Sequence, residues 1–87
     1  MNRKPNAILT PTTRRNELAR DPRTADEVPA YRAILNGNYI GVYSSPAFSG
    51  DRAAEALRLA KNHAASGRQD SWTWVEQEDG TVHGWSR

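Results

Sequence analysis

The sequence contains no cysteine, so disulfide bonds and thiolate-ligated zinc sites are excluded. It has only two histidines, His63 and His83, which leaves few side chains for proton transfer or metal binding near neutral pH. Long apolar runs are missing as well. The longest near the N-terminus is Ala7–Leu9, far too short for a signal peptide or a membrane span. We therefore expect a soluble, cytoplasmic protein with no membrane contact.

The length and charge of the chain limit what it can be. Its 87 residues allow one hydrophobic core and no more. With 12 basic and 10 acidic residues, the net charge of +2 neither requires nor excludes a polyanionic partner. The basic residues are concentrated near the N-terminus, where Glu17 is the single acid among the first 20 residues. The basic residues there are Arg3, Lys4, Arg14, Arg15 and Arg20.

Residues 1–29 hold four of the five prolines and almost no periodic apolar signal. Extended sheet or a long helix is therefore disfavoured in this segment. The composition of residues 1–29 predicts a poorly structured N-terminal arm, separate from a folded domain at 30–87. Two interpretations remain open: a flexible leader, or an arm that lies on a partner or on a second subunit.

The best-specified segment is Tyr31–Tyr43, which predicts a β-hairpin around Asn36-Gly37, the dipeptide best suited to positive φ at both turn positions. Strict alternation then assigns the side chains to two faces. The predicted core face carries Tyr31, Ala33, Leu35, Ile40 and Val42. The predicted outward face carries Arg32, Ile34, Tyr39, Gly41 and Tyr43.

Two further elements follow along the chain. From Asp51 to Ala65 the apolar period becomes helical, with an alanine-rich stripe for close packing on a sheet and Gly67 as the stop. Ser71–Ser86 predicts a second hairpin at Asp79-Gly80. We expect an α+β domain in ββαββ order: a four-stranded antiparallel sheet with one helix packed on one face.

The register of the second hairpin depends on its loop length. A two-residue loop, which we prefer, places Trp74 opposite Trp85 and Glu76 opposite His83. A three-residue loop with Gly80 as a bulge instead places Thr73 opposite Trp85.

No catalytic motif is recognisable. A His83–Glu76 pair would suit acid–base work, but cross-strand charge pairing explains it equally well. We therefore predict a protein that is not an enzyme and that uses no cofactor or metal. Three tryptophans and three tyrosines exceed what so small a core needs, which indicates a binding surface. The predicted binding residues are Arg32, Ile34, Tyr39, Tyr43, Arg14, Arg15, Trp74 and Trp85.

The run YIGVYSS…AAEALRLAKNH resembles the strand–helix half of the DNA-binding arm domains of phage integrases and their plant relatives. That resemblance implies a three-stranded sheet that enters the major groove, braced by a helix. The strand–helix–hairpin layout of a small chain without cysteine or catalytic motif is also similar to small phage-encoded anti-CRISPR proteins.

The second resemblance implies a phage or mobile-element inhibitor that occupies a surface of a host protein or ribonucleoprotein complex in the host cytosol. The alternative is a direct nucleic-acid-binding module that uses the basic arm and the face of Arg32, Tyr39 and Tyr43. Whether the protein forms a homodimer stays open.

Overall fold

The computed structural model describes residues 3–15, 27–45 and 51–87. These residues form one five-stranded antiparallel sheet and one α-helix, in strand order β3-β2-β1-β5-β4. The elements are β1 (Ala7–Arg15), β2 (Glu27–Leu35), β3 (Asn38–Tyr43), α1 (Arg52–Ala64), β4 (Trp72–Glu76) and β5 (Val82–Ser86), with a 3-10 turn at Gln69–Ser71. The predicted α+β class is confirmed. The predicted four strands are wrong, because the sheet has five and the order is βββαββ.

The additional strand is β1, which comes from the N-terminal segment and lies at the centre of the sheet. It pairs with β2 along its whole length and with β5 over Ala7–Leu9. The prediction that extended sheet is disfavoured in this segment is therefore wrong for Ala7–Arg15. The boundary placed between residues 29 and 30 falls inside β2. Residues 1–2 and 16–26 of the predicted arm lie outside the described residues.

Pro11 explains why β1 is hard to recognise from sequence, since proline cannot donate to a strand ladder. Pro11 lies opposite Tyr31 on β2. On the other side of β1, however, pairing with β5 ends at Leu9 and Val82 in the described strands. Among the described residues, the segment of β1 that contains Pro11 thus has one edge without a strand partner, where a proline is tolerated.

The hairpin of β2 and β3 has the predicted turn. Asn36 and Gly37 have φ of 52° and 83°, as a two-residue turn of this type requires. The first pair, Leu35 with Asn38, is also as predicted.

Farther from the turn, a β-bulge changes the register. Ile40 is inserted without a partner on β2, and Gly41 follows it with φ of 151°, a conformation that other residues rarely adopt. As a result Tyr43 lies opposite Tyr31 and faces the helix, whereas Val42 turns to the other side of the sheet. The predicted faces of Gly41, Val42 and Tyr43 are therefore wrong, because strict alternation ignores the extra residue.

Helix α1 forms as predicted and covers one face of the sheet. The Asp51 carboxylate caps its N-terminus by accepting hydrogen bonds from the Ala53 and Ala54 backbone N–H groups at 3.1 and 3.2 Å. The buried residues of the helix are all alanines, which lets its backbone approach the strands closely. The core cluster consists of Ala7, Leu9, Ala33, Ala60, Ala64 and Val82.

The hairpin of β4 and β5 has a three-residue loop. The Gln77 N–H donates to the Thr81 carbonyl at 2.7 Å, and Gly80 has φ of 90°. Within the loop, the Asp79 carboxylate accepts a hydrogen bond from the Thr81 backbone N–H at 2.9 Å. This hydrogen bond holds the pKa of Asp79 below its usual value. The preferred two-residue loop is therefore wrong, and the alternative with Gly80 as a bulge is confirmed.

The longer loop places Trp74 opposite Gly84 on the helix side of the sheet. Its indole lies directly over Gly84, so close that a Cβ added to this glycine would overlap the ring. Trp72 stacks against Trp74 with ring centroids 5.0 Å apart, and the Lys61 ammonium lies 5.8 Å from the Trp74 ring centroid. The two indoles therefore close this end of the core.

We expect Leu9→Ala to lower the free energy of unfolding by about 2–5 kcal/mol, because Leu9 is fully buried in the central strand. Thr10→Ala, one residue along on the exposed side, should change it by no more than about 0.5 kcal/mol. Urea unfolding followed by tryptophan fluorescence measures both. Equal, small effects would mean that β1 does not hold the sheet together.

We expect Gly84→Ala to be destabilising by about 1–3 kcal/mol, because its methyl group overlaps the Trp74 ring. Gly84 has no positive φ, so backbone strain adds nothing to this cost. In a Trp74→Ala background the same substitution should cost far less. Thermal unfolding of the four proteins measures the coupling, and additive effects would contradict the packing.

Candidate functional site

The face of the sheet opposite α1, here called the open face, carries one aligned side chain from each strand. Tyr39 lies opposite Ile34, and Ile34 lies opposite Ile8. Ile8 in turn lies opposite His83, which is opposite Val75. These five side chains form a continuous line across the sheet, here called the cross-strand row.

The cross-strand row is mostly apolar and reaches solvent. Tyr39 is 59% exposed and Val75 45% exposed, and these are the exposed large hydrophobic residues of the described chain. Ile8, Ile34 and His83 are half-buried. An apolar row whose two ends are exposed is typical of a surface that binds a partner.

Two guanidinium groups lie beside the row. That of Arg32 is 5.3 Å from the centroid of the Tyr39 ring, within cation–π distance. Arg14 on β1 reaches across β2 and donates from Nη1 to the Val42 carbonyl at 3.4 Å. The open face thus combines an exposed aromatic ring with two fixed positive charges.

The N-terminal residues approach the same face at β5. The Trp85 indole N–H donates to the Arg3 carbonyl at 2.8 Å, and the Arg3 guanidinium donates to the Ser86 carbonyl at 2.7 Å. Trp85 also meets His83 edge-on, with ring centroids 6.0 Å apart. These contacts hold Arg3 against the end of β5, where Trp85 packs on His83.

The remaining side chains assigned to the open face by alternation are small or hydroxylic. They are Thr10, Thr12, Val28, Ala30, Val42 and Thr73. Val28 and Ala30 are buried, so the accessible part of the face is the row and its immediate flanks. In the strands that the structure describes, the open face therefore carries arginines and no carboxylate, whereas Glu78 and Asp79 of the β4–β5 loop lie around a pocket with His83.

The predicted binding residues divide between the two faces. Five lie on the open face: Arg14, Arg32, Ile34, Tyr39 and Trp85. Tyr43 and Trp74 lie on the helix side, because the bulge and the three-residue loop shift their registers. Arg15 alternates with Arg14 and so points away from the open face, opposite Glu27 at the end of β1. The predicted outward group of Arg32, Tyr39 and Tyr43 is thus incomplete, since Tyr43 is on the other side.

Tyr43 instead forms part of the packing of α1 on the sheet. Its ring stacks on the His63 imidazole, with centroids 4.4 Å apart and planes 18° apart. Its hydroxyl donates to the Ile40 carbonyl at 3.3 Å. This tyrosine is a structural residue.

Sequence reasoning missed three members of the row, Ile8, His83 and Val75. A signal was present, because β-branched residues recur at Ile8, Thr10 and Thr12 with the period of a strand. Pro11 interrupts that pattern and conceals it. His83 pairs with Glu76 only in the register of the two-residue loop, which the protein does not adopt.

The acid–base pair considered from sequence is not assembled. Glu76 lies opposite Val82 on the helix side, whereas His83 lies opposite Val75 on the open face. Among the residues that the structure describes, no three His, Asp or Glu side chains come close enough together to hold a metal ion. The open face, with its partly exposed apolar row, is the candidate site.

We expect Tyr39→Ala and Tyr43→Ala to affect stability differently, because the two tyrosines lie on opposite faces of the sheet. Tyr43→Ala should lower the melting temperature by several degrees, because it removes the ring stacked on His63. Tyr39→Ala should leave it nearly unchanged, since most of that side chain is in solvent. Differential scanning calorimetry measures both, and the reverse order would contradict the bulged register.

In the described part of the chain, no helix is long and apolar enough to cross a membrane. No protein-family model matches this chain, no curated protein matches its sequence and no solved structure matches its fold. Both family resemblances therefore stay predictions, and function has to be argued from the open face itself.

Proposed function

We propose that this protein binds nucleic acid through the open face of its sheet. The observation that carries the proposal is the juxtaposition of the cross-strand row with Arg14 and Arg32 on a face without carboxylates in the described strands. The ligand that suits such a face is anionic and also presents apolar surface.

Nucleic acids have both properties. Their phosphates accept hydrogen bonds from arginine, threonine and other donors, and their bases provide apolar planes. Arginine suits both parts, because its guanidinium binds phosphate in a bidentate manner and stacks on flat rings. Exposed Thr10 and Thr12 add hydroxyl donors on the same face as Arg14 and Arg32.

A second copy of the chain fits this face less well. Two open faces packed together would bring Arg14 and Arg32 of each copy into one interface. Like charges brought together across an interface are costly. The charge pattern therefore favours a polyanion over self-association.

The strand layout gives additional support. Three antiparallel strands, β1 to β3, precede α1, and α1 packs on one side of them. The resemblance to integrase arm domains implies such a three-stranded sheet braced by a helix, with duplex DNA as its ligand, so it supports binding of nucleic acid but not the choice between a duplex and a single strand. Inhibition of a host protein or ribonucleoprotein complex, implied by the anti-CRISPR resemblance, stays a prediction that no contact on the open face favours specifically.

We expect the affinity for a labelled oligonucleotide to fall steeply as salt rises from about 50 to 200 mM, because phosphate contacts release counterions. Replacing Arg14 and Arg32 together with alanine should reduce the slope of log affinity against log salt by about 1.4 to 1.8, which is ~0.7–0.9 for each of the two arginines. Fluorescence anisotropy titrations measure this slope.

The matched control for that experiment is the double substitution Arg58→Ala with Arg68→Ala. It removes the same charge from exposed positions, one on the outward side of α1 and one just after it. Its slope should stay close to that of the unchanged protein. Absence of binding at low salt, or equal losses in the two double variants, would refute binding through the open face.

A further inference from the structure

We infer that the nucleic acid bound on the open face is a single strand, with unpaired bases lying along the cross-strand row. This inference rests on the proposed function and specifies its class of ligand. It is carried by the position, exposure and chemistry of the five residues in the row.

The row has the right width for several bases. It crosses all five strands, so four strand spacings of about 4.8 Å separate its ends by roughly 19 Å. Four-stranded sheets of RNA-recognition modules stack two or three bases in this way. The row can therefore accommodate about three bases side by side.

The chemistry of the row favours base planes over groove edges. Ile8 and Ile34, in the middle of the row, have no hydrogen-bonding group in their side chains. They can neither bind phosphate nor read the donors and acceptors in a groove. They can contact the flat apolar faces of bases, which a duplex keeps buried within its stack and a single strand exposes.

Tyr39 is the principal stacking residue in this arrangement. Its ring is 59% exposed, and the Arg32 guanidinium at 5.3 Å extends the stack with a positive charge. Trp85 is less suited, because its indole N–H is bound to the Arg3 carbonyl and it is half-buried against His83. Trp85 supports His83, which presents the second ring of the row.

The charges define where the backbone of the strand would lie. Arg14 and Arg32 are both on the flank that holds Thr10 and Val42, on the same side of the row. Phosphates along this flank would meet guanidinium groups while the bases reach over the row. An acidic peptide suits the face less, because extended peptides gain affinity from backbone groups at a sheet edge and a sheet face offers none.

The test measures the affinities of three labelled probes for the full chain at low salt by fluorescence anisotropy. They are a thymidine homo-oligonucleotide of about 12 nucleotides, within the usual site sizes of ~4–16, a mixed-sequence duplex of the same length, and a polyglutamate peptide. We expect the single strand to bind at least about tenfold more tightly than the duplex, the discrimination of ~1.4 kcal/mol that one stacked base can supply.

The variants Tyr39→Leu and Tyr39→Phe form the matched pair. Leucine keeps apolar bulk but removes the ring, so single-strand affinity should fall about 5-fold to 150-fold, the range of one base–aromatic stack. Phenylalanine keeps the ring and should bind close to the unchanged protein. Duplex affinity should change little in either variant.

The possible outcomes distinguish failure of the single-strand inference alone from failure of the proposed function. Equal or tighter binding of the duplex, or indifference of the single strand to Tyr39→Leu, would overturn the single-strand inference while nucleic-acid binding stands. Binding of neither nucleic acid would overturn both. Tighter binding of polyglutamate than of either nucleic acid would identify an acidic protein surface as the ligand and also overturn both.

Discussion

The pairing of β1 with strands on both sides is the interaction on which the rest of the structure depends. It joins the hairpin of β2 and β3 to the hairpin of β4 and β5, which are otherwise separate in the chain. Isolated two-stranded hairpins are marginal in water, so neither would be stable alone. The same strand supplies Ala7 and Leu9 to the core and Ile8 to the open face. One short segment therefore builds both faces of the sheet.

Two local irregularities then decide which aromatic rings reach the open face. The inserted Ile40 turns Tyr43 towards the helix, and the three-residue loop places Trp74 over Gly84 on the same side. Both rings close the core around a helix whose buried residues are small. Tyr39 lies before the bulge and keeps its outward position, so the open face has one strongly exposed ring beside Arg32.

The functional argument depends on charge as much as on apolar exposure. Exposed apolar rows also occur at protein interfaces, which commonly pair positive with negative groups. Here Arg14 and Arg32 share a face that carries no carboxylate in the described strands. In the proposed function, the partner supplies negative charge beside these arginines and apolar surface against the row. An unpaired nucleic-acid strand provides both in one molecule.

The sequence by itself determined the features that depend on neighbouring residues. These are the turn at Asn36-Gly37, the helix with its alanine stripe, and the α+β class. Tertiary structure alone decided the role of β1, because Pro11 is acceptable only where β5 no longer pairs with that strand. It also decided the faces of Tyr43 and Trp74, since one extra residue in a bulge or loop reverses every side chain beyond it. Local patterns cannot show such a shift in register, because the shifted pairing is stabilised by packing against the helix. It also requires Gly41, with its positive φ, and Gly84, which leaves room for the Trp74 ring.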